Sequence, residues 1–124
     1  MNSGKADSLR RDFQNAVHEL LAPDIFNVEL AHALTRAERQ GRIAVGEARQ
    51  LYLDVLTRPP KFFPFQSLLL RAIDISSKMR VGVYDCVYVA LAEQEGCELV
   101  TGDDKMVYAL QKDFPFIVSL ASMP

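Results

Sequence analysis

The chain has 124 residues, of which 49% are hydrophobic and 24% charged, and 14 basic against 16 acidic side chains leave a net charge of −2. That size is one domain's worth, and the mix is that of an ordinary soluble globular protein. It excludes disorder, collagen-like repeats and a strongly basic, charge-driven nucleic-acid binder, while leaving room for an enzyme that meets nucleic acid at one small site.

Leu9, Phe13, Ala16, Val17, Leu20 and Leu21 recur at helical spacing and predict an amphipathic helix from about residue 6 onward. A very short strand follows around residues 19–22, and Pro23-Asp24 punctuates the change. A second helix is predicted to run to about residue 40, with Phe26, Leu30, Ala33, Leu34 and Ala37 inward and Gly41 as its stop. Ala44, Ala48, Leu51, Tyr52, Val55 and Leu56 mark a third helix, ended by Arg58-Pro59-Pro60. Phe62-Phe63-Pro64-Phe65 reads as a connector or short edge strand, because Pro64 cannot donate to a central ladder.

Leu68, Leu69, Ala72, Ile73 and Ser76 predict a fourth helix, and residues 84–95 a fifth that is apolar nearly all round, as a deeply packed helix is. Gly96 stops it. Residues 97–101 form the clearest strand, Gly102-Asp103-Asp104 turns into a short helix around 106–110, and residues 116–120 close as a last strand. Helices joined to short apolar strands predict an α/β fold with a mostly parallel sheet, in one domain over residues 1–124.

Cys86 and Cys97 form neither a disulfide framework nor a C-x-x-C pair, which favours a reducing compartment, the cytoplasm. The longest apolar run, residues 87–92, is far too short to span a membrane, and the first residues lack the apolar stretch of a secretory signal.

Phosphate-binding glycine motifs are absent, and neither His18 nor His32 has a serine or cysteine partner by motif, so nucleotide cofactors and nucleophilic triads lack support. The carboxylates carry more. Glu29 shares a helix face with Phe26 and Ala33. Asp85 opens the buried helix, and Asp103 and Asp104 directly follow a strand end, where ligand sites of parallel α/β sheets lie. Asp85, Asp103 and Asp104 equally suit helix N-caps, and Glu29 a flank residue reaching water; spacing alone leaves both readings open. Arg36, Arg39 and Arg42 near the end of the second helix could meet phosphates or simply line a solvated face.

The stretch Val83-Tyr84-Asp85-Cys86-Val87-Tyr88-Val89-Ala90-Leu91-Ala92, then Gly96, then Leu99-Val100-Thr101-Gly102-Asp103, resembles the C-terminal half of PIN domains, particularly VapC-type toxins of toxin–antitoxin systems. Upstream, Leu21-Ala22-Pro23-Asp24-Ile25-Phe26-Asn27-Val28-Glu29 is similar to the family's strand–proline–helix segment with its acidic residue. The resemblance implies a PIN-like α/β/α sandwich and a metal-dependent endoribonuclease, with Glu29, Asp85 and Asp103 as the acidic cluster. Asp104 is a further candidate ligand, Thr101 the hydroxyl supporting Asp103, and Arg36 and Arg39 RNA contacts. It also implies Mg²⁺ or Mn²⁺, an RNA substrate, a cognate antitoxin protein and a homodimer. Hard divalent cations take oxygen ligands, so converging carboxylates are the fitting residue type.

The chain departs from the family pattern at its start. PIN domains open with a central strand ending in aspartate, typically V-x-D-x-S, whereas this sequence begins in what reads as the following helix, with Asp7 inside it. The expectation is therefore an N-terminally shortened PIN domain lacking the central strand and one acid, with its ribonuclease activity impaired. Strands lie about 4.8 Å apart, so a slot of nearly 10 Å would separate the flanking strands. The competing readings are a catalytically defective remnant that works as a protein-interaction module, and a receiver-like signalling domain. The latter expects an acid pair ending its first strand and a lysine after its last, and the sequence shows neither.

Overall fold

Pro23 and Asp24 end the first strand and turn the chain into a helix, and the same join recurs along the fold as short strands alternate with helices. The computed structural model describes residues 20–122. Strand β1 (Leu21–Pro23) leads to α1 (Phe26–Arg39) and α2 (Glu47–Thr57), and β2 (Lys61–Phe63) leads through a 3₁₀ turn to α3 (Leu69–Met79) and α4 (Val83–Glu95). Then β3 (Leu99–Thr101), α5 (Asp104–Leu110) and β4 (Ile117–Ser119) close the fold. The predicted first helix up to residue 19, with Asp7 and His18, lies outside the described residues.

All strand pairing among the described residues is parallel, as expected of an α/β fold, but the strands do not make one sheet. β1 pairs with β2, Leu21 opposite Lys61 and Pro23 opposite Phe63. β3 pairs with β4, Leu99 opposite Ile117 and Thr101 opposite Ser119. No described strand joins the two pairs. Asp24 extends the first pair beyond its last rung: its N–H donates to the Phe63 carbonyl at 2.8 Å, and its Oδ1 accepts from the Phe65 N–H at 2.9 Å.

Helix α4 is the spine. Cys86, Val87, Val89, Ala90, Leu91 and Ala92 are all buried, so this helix shows no single apolar face. It packs most extensively on α3 and also touches β1 and β3, thereby reaching both strand pairs. Gly96 ends it in the left-handed conformation (φ 64°), donating its N–H back to the carbonyls of Ala92 and Glu93. Leu68, Ala72 and Ile75 from the α3 side and Met106, Leu110, Phe114 and Ile117 from the C-terminal side complete the core. Truncating one of these, such as the fully buried Leu110, to alanine costs about 2–5 kcal/mol through lost transfer energy and the cavity left behind.

Three helices differ in detail from the sequence expectation. In α3, Ile75 is 2% exposed and Ile73 48%, because the helix starts at Leu69 after a separate 3₁₀ turn and turns Leu68, Ala72 and Ile75 toward α4. In α1 Ala33 is exposed, and no side chain is fully buried. Helix α2 begins at Glu47 rather than near Ala44, since Gly46 adopts φ 88° and cannot continue a right-handed turn backward. Leu56 is exposed at its far end. Glu38 clamps this α1–α2 hairpin: its Oε1 accepts from the N–H groups of Gly46 (2.9 Å) and Ala48 (3.1 Å).

Candidate functional site

The four acids singled out from the sequence lie on three helices. Glu29 stands in the first turn of α1, Asp85 in the first turn of α4, and Asp103 and Asp104 at the start of α5, immediately after β3. Acids in first turns are favoured because they oppose the partial positive charge of a helix N-terminus, and here that preference gathers negative charge at helix starts.

Asp103 is the N-cap of α5. Its Oδ1 accepts from the N–H groups of Lys105 (3.0 Å) and Met106 (3.2 Å), and its own N–H donates to Thr101 Oγ1 at 3.0 Å. The Thr101 hydroxyl thus holds the Asp103 backbone, while one carboxylate oxygen is committed to the cap and Oδ2 carries no bond to α5's backbone. Asp104 is exposed in the turn that follows. Asp85 does not cap its helix: Gly82 occupies the N-cap, and Asp85 sits three positions on. Its carboxyl is pushed above the usual value, first by partial burial and then by the negative charges of Asp103 and Glu29. Those charge effects link the three acids electrostatically.

Glu29 is half-buried, and its Oε1 accepts a 2.5 Å hydrogen bond from the Tyr88 hydroxyl, which reaches it from α4. Burial, that bond and the charges of Glu29 and Asp85 raise the Tyr88 pKa, so the hydroxyl keeps its proton and remains a donor. In the sequence Tyr88 stands out only as part of a motif and of an apolar helix. The signal that could have found it is its spacing three residues after Asp85, which sets both on one face of α4.

Among the described residues no three His, Cys, Asp or Glu side chains stand close enough to hold one ion directly. The donor set itself suits a hard cation: it consists of oxygens alone, and the mutual repulsion felt at Asp85 is what a dication would reverse. Mg²⁺ keeps several of its waters and is commonly held by one or two carboxylates, which does not require a closed three-ligand cage. Arg36 and Arg39 are exposed in the last turn of α1, where they complement the helix C-terminus. A shallow cavity of about 420 Å³, lined by Ala92, Glu93, Gly96, Cys97, Glu98 and Phe116, lies at the opposite end of α4 from Asp85 and is apart from the acids. No helix among the described residues is long and apolar enough to cross a membrane.

Comparison with known proteins gives this arrangement a context. The chain matches the family model of the PIN domain over residues 3–111. It is 28% identical over 118 residues to a VapC ribonuclease of Mycobacterium bovis, and equally to Ribonuclease VapC9 of Mycobacterium tuberculosis; both matches cover 95% of this chain and 87% of the relative. It is 31% identical over 103 residues to Ribonuclease VapC3 of Pyrobaculum aerophilum, covering 82% of this chain and 76% of that one. With the family match spanning most of its length, the chain belongs to the PIN domain family.

Proposed function

We propose that this chain is a single PIN domain acting as a metal-dependent endoribonuclease of the VapC type, with Glu29, Asp85 and Asp103 as the acids that hold Mg²⁺ or Mn²⁺. The observation that supports this reading is the charge coupling at Asp85, whose carboxyl is raised in part by Asp103 and Glu29. Acids on helices α1 and α5 thus both act on the one on α4, and such unrelieved repulsion is common where a cation belongs. The VapC ribonucleases it resembles over most of its length point to RNA as the substrate.

In this reading the divalent ion supplies Lewis acidity, lowering the pKa of an attacking water and offsetting charge that builds on the phosphate. The chain's own groups do the positioning. Asp103 offers Oδ2 while its Oδ1 stays fixed by the α5 backbone, with Thr101 steadying the turn. Glu29 offers Oε2 while Tyr88 holds Oε1. Asp104 is a further acid in reach of solvent, and Arg36 and Arg39 are candidate phosphate contacts. A cognate antitoxin protein and a homodimer complete the proposal by family resemblance.

The test is cleavage of fluorescently labelled single-stranded RNA by the full chain with Mg²⁺ and with EDTA, alongside Glu29→Gln and Asp85→Asn. Cleavage that needs Mg²⁺ and drops at least a hundredfold in both variants supports the assignment. Cleavage indifferent to EDTA and to both substitutions overturns it. A folded chain that cleaves nothing favours the competing reading of a PIN domain working through protein contacts, which the use of an Asp103 oxygen as a helix cap also suits.

A further inference from the structure

Helix α1 carries Glu29, yet it buries none of its own side chains fully and packs chiefly on α2, the other helix of a peripheral hairpin. Among the described residues its ties to the rest of the fold include the Phe26 ring, tilted against Phe62 of β2 with centroids 6.3 Å apart, and Glu29 itself. The negative charge of Glu29 acts on Asp85, and like charge disfavours keeping the two carboxylates together. What fixes one oxygen of Glu29 is the Tyr88 hydroxyl, which donates to its Oε1 across 59 residues of sequence.

Tyr88 follows Asp85 by three residues on α4, so ring and carboxylate project from one face of the most buried helix in the fold. The hydroxyl therefore holds Glu29 relative to Asp85 from a rigid base, while α1 alone would not. We propose that Tyr88 is the positioning residue for Glu29, and that the Tyr88–Glu29 hydrogen bond latches the α1–α2 hairpin onto α4 with the Glu29 carboxylate set beside Asp85. This rests on the reading of Glu29 and Asp85 as cation-holding acids. Groups that hydrogen-bond a metal ligand set its orientation, and removing one weakens metal affinity by about 10–100-fold.

The experiment compares wild type, Tyr88→Phe, Asp85→Asn, Glu29→Gln and the Tyr88→Phe/Glu29→Gln double variant. Mn²⁺ affinity is read by electron paramagnetic resonance, and the exchange of α1 amides without metal by hydrogen–deuterium mass spectrometry. Tyr88→Phe keeps the ring and removes only the hydroxyl, so the fold persists. The expected result is Mn²⁺ affinity reduced at least tenfold, faster exchange across α1, and no further loss of affinity when the substitution is added to Glu29→Gln. Wild-type affinity and wild-type α1 exchange in Tyr88→Phe overturn the inference. If Asp85→Asn loses Mn²⁺ while Tyr88→Phe does not, the acids stand and the positioning role falls. If wild type and Asp85→Asn bind Mn²⁺ alike, or not at all, the reading of the acids fails instead.

Discussion

Arg71 of α3 grips Glu93 of α4 with two prongs, Nε to Oε1 at 2.7 Å and Nη2 to Oε2 at 2.9 Å, while its guanidinium lies 5.9 Å from the Phe114 ring centroid. The bond from Arg71 holds the Glu93 carboxyl below its ordinary value of 4.5, against a smaller opposing effect of burial. A carboxyl lowered on folding contributes stability that is present above the ordinary value and is lost as pH falls through the folded one. Both side chains are well exposed (48% and 39%), so Glu93→Gln is expected to cost only about 0.5–1 kcal/mol at neutral pH. Thermal melts of the two proteins should converge in acid, and should also converge in high salt.

Asp103 serves as cap and candidate ligand at once, and two substitutions separate the roles. Asparagine caps about as well as aspartate, whereas alanine costs about 1 kcal/mol or somewhat more. Asp103→Asn is therefore expected to melt like wild type while losing Mg²⁺-dependent cleavage. Asp103→Ala should lose both, and melting curves beside RNA cleavage rates check this.

Asp85 titrates in the opposite sense to Glu93. Its carboxyl is raised on folding, so the ionised form penalises the native state above the ordinary value of 3.8 and the penalty vanishes in acid. In metal-free buffer near neutral pH, Asp85→Asn should melt at or above the wild-type temperature, with the difference disappearing in acid. Mg²⁺ should raise the melting temperature of wild type and not of the variant. Because Gly82 and not Asp85 is the N-cap, Asp85→Ala should not show the loss typical of a missing cap.

Arg80 caps the C-terminus of α3 in the left-handed region, at φ 59° and ψ 43°, a conformation that costs a non-glycine residue about 1–2 kcal/mol. Its N–H still donates to the Ser76 carbonyl at 2.8 Å. Arg80→Gly keeps that bond and removes the strain, and is expected to stabilise the protein by about 1 kcal/mol after glycine's greater unfolded-state freedom is counted. Urea denaturation would show the midpoint rising with an unchanged slope.

Burial raises both thiols, Cys86 with help from the negative charge of Asp85 and Cys97 with help from Glu95. Because the thiolate is the reactive form, neither should behave as an activated cysteine. With a chromogenic disulfide reagent near neutral pH, half-buried Cys97 should react slowly and Cys86 only on unfolding.

Where composition left one answer, the sequence was readable. Val87, Ala90 and Leu91 are apolar on every side of α4, so no choice of face was needed, and Gly96 marked its end. Ile73 and Ile75 show the limit: two equally apolar residues bracket the true face of α3, and only the position of α4 selects Ile75. Ala33 carries too little apolar area to define a face. Asp103 was legible as both cap and candidate ligand because a strand end followed by Asp-Asp is a local signal. The Tyr88–Glu29 bond was not, since its partners lie 59 residues apart and meet only through the packing of α1 beside α4. The division of the strands into two pairs likewise depends on contacts between distant segments.

That division has a consequence for how the chain finds its fold. β3 and β4 meet across 18 residues of sequence (99 to 117), β1 and β2 across 40 (21 to 61). Each doubling of a closed loop adds about 0.6 kcal/mol of chain entropy, so the C-terminal pair is the cheaper one to close. Helix α4 immediately precedes it and carries apolar surface that β1 of the N-terminal pair contacts. Destabilising changes within 83–120 should accordingly slow refolding, while changes in β1 or β2 should chiefly speed unfolding.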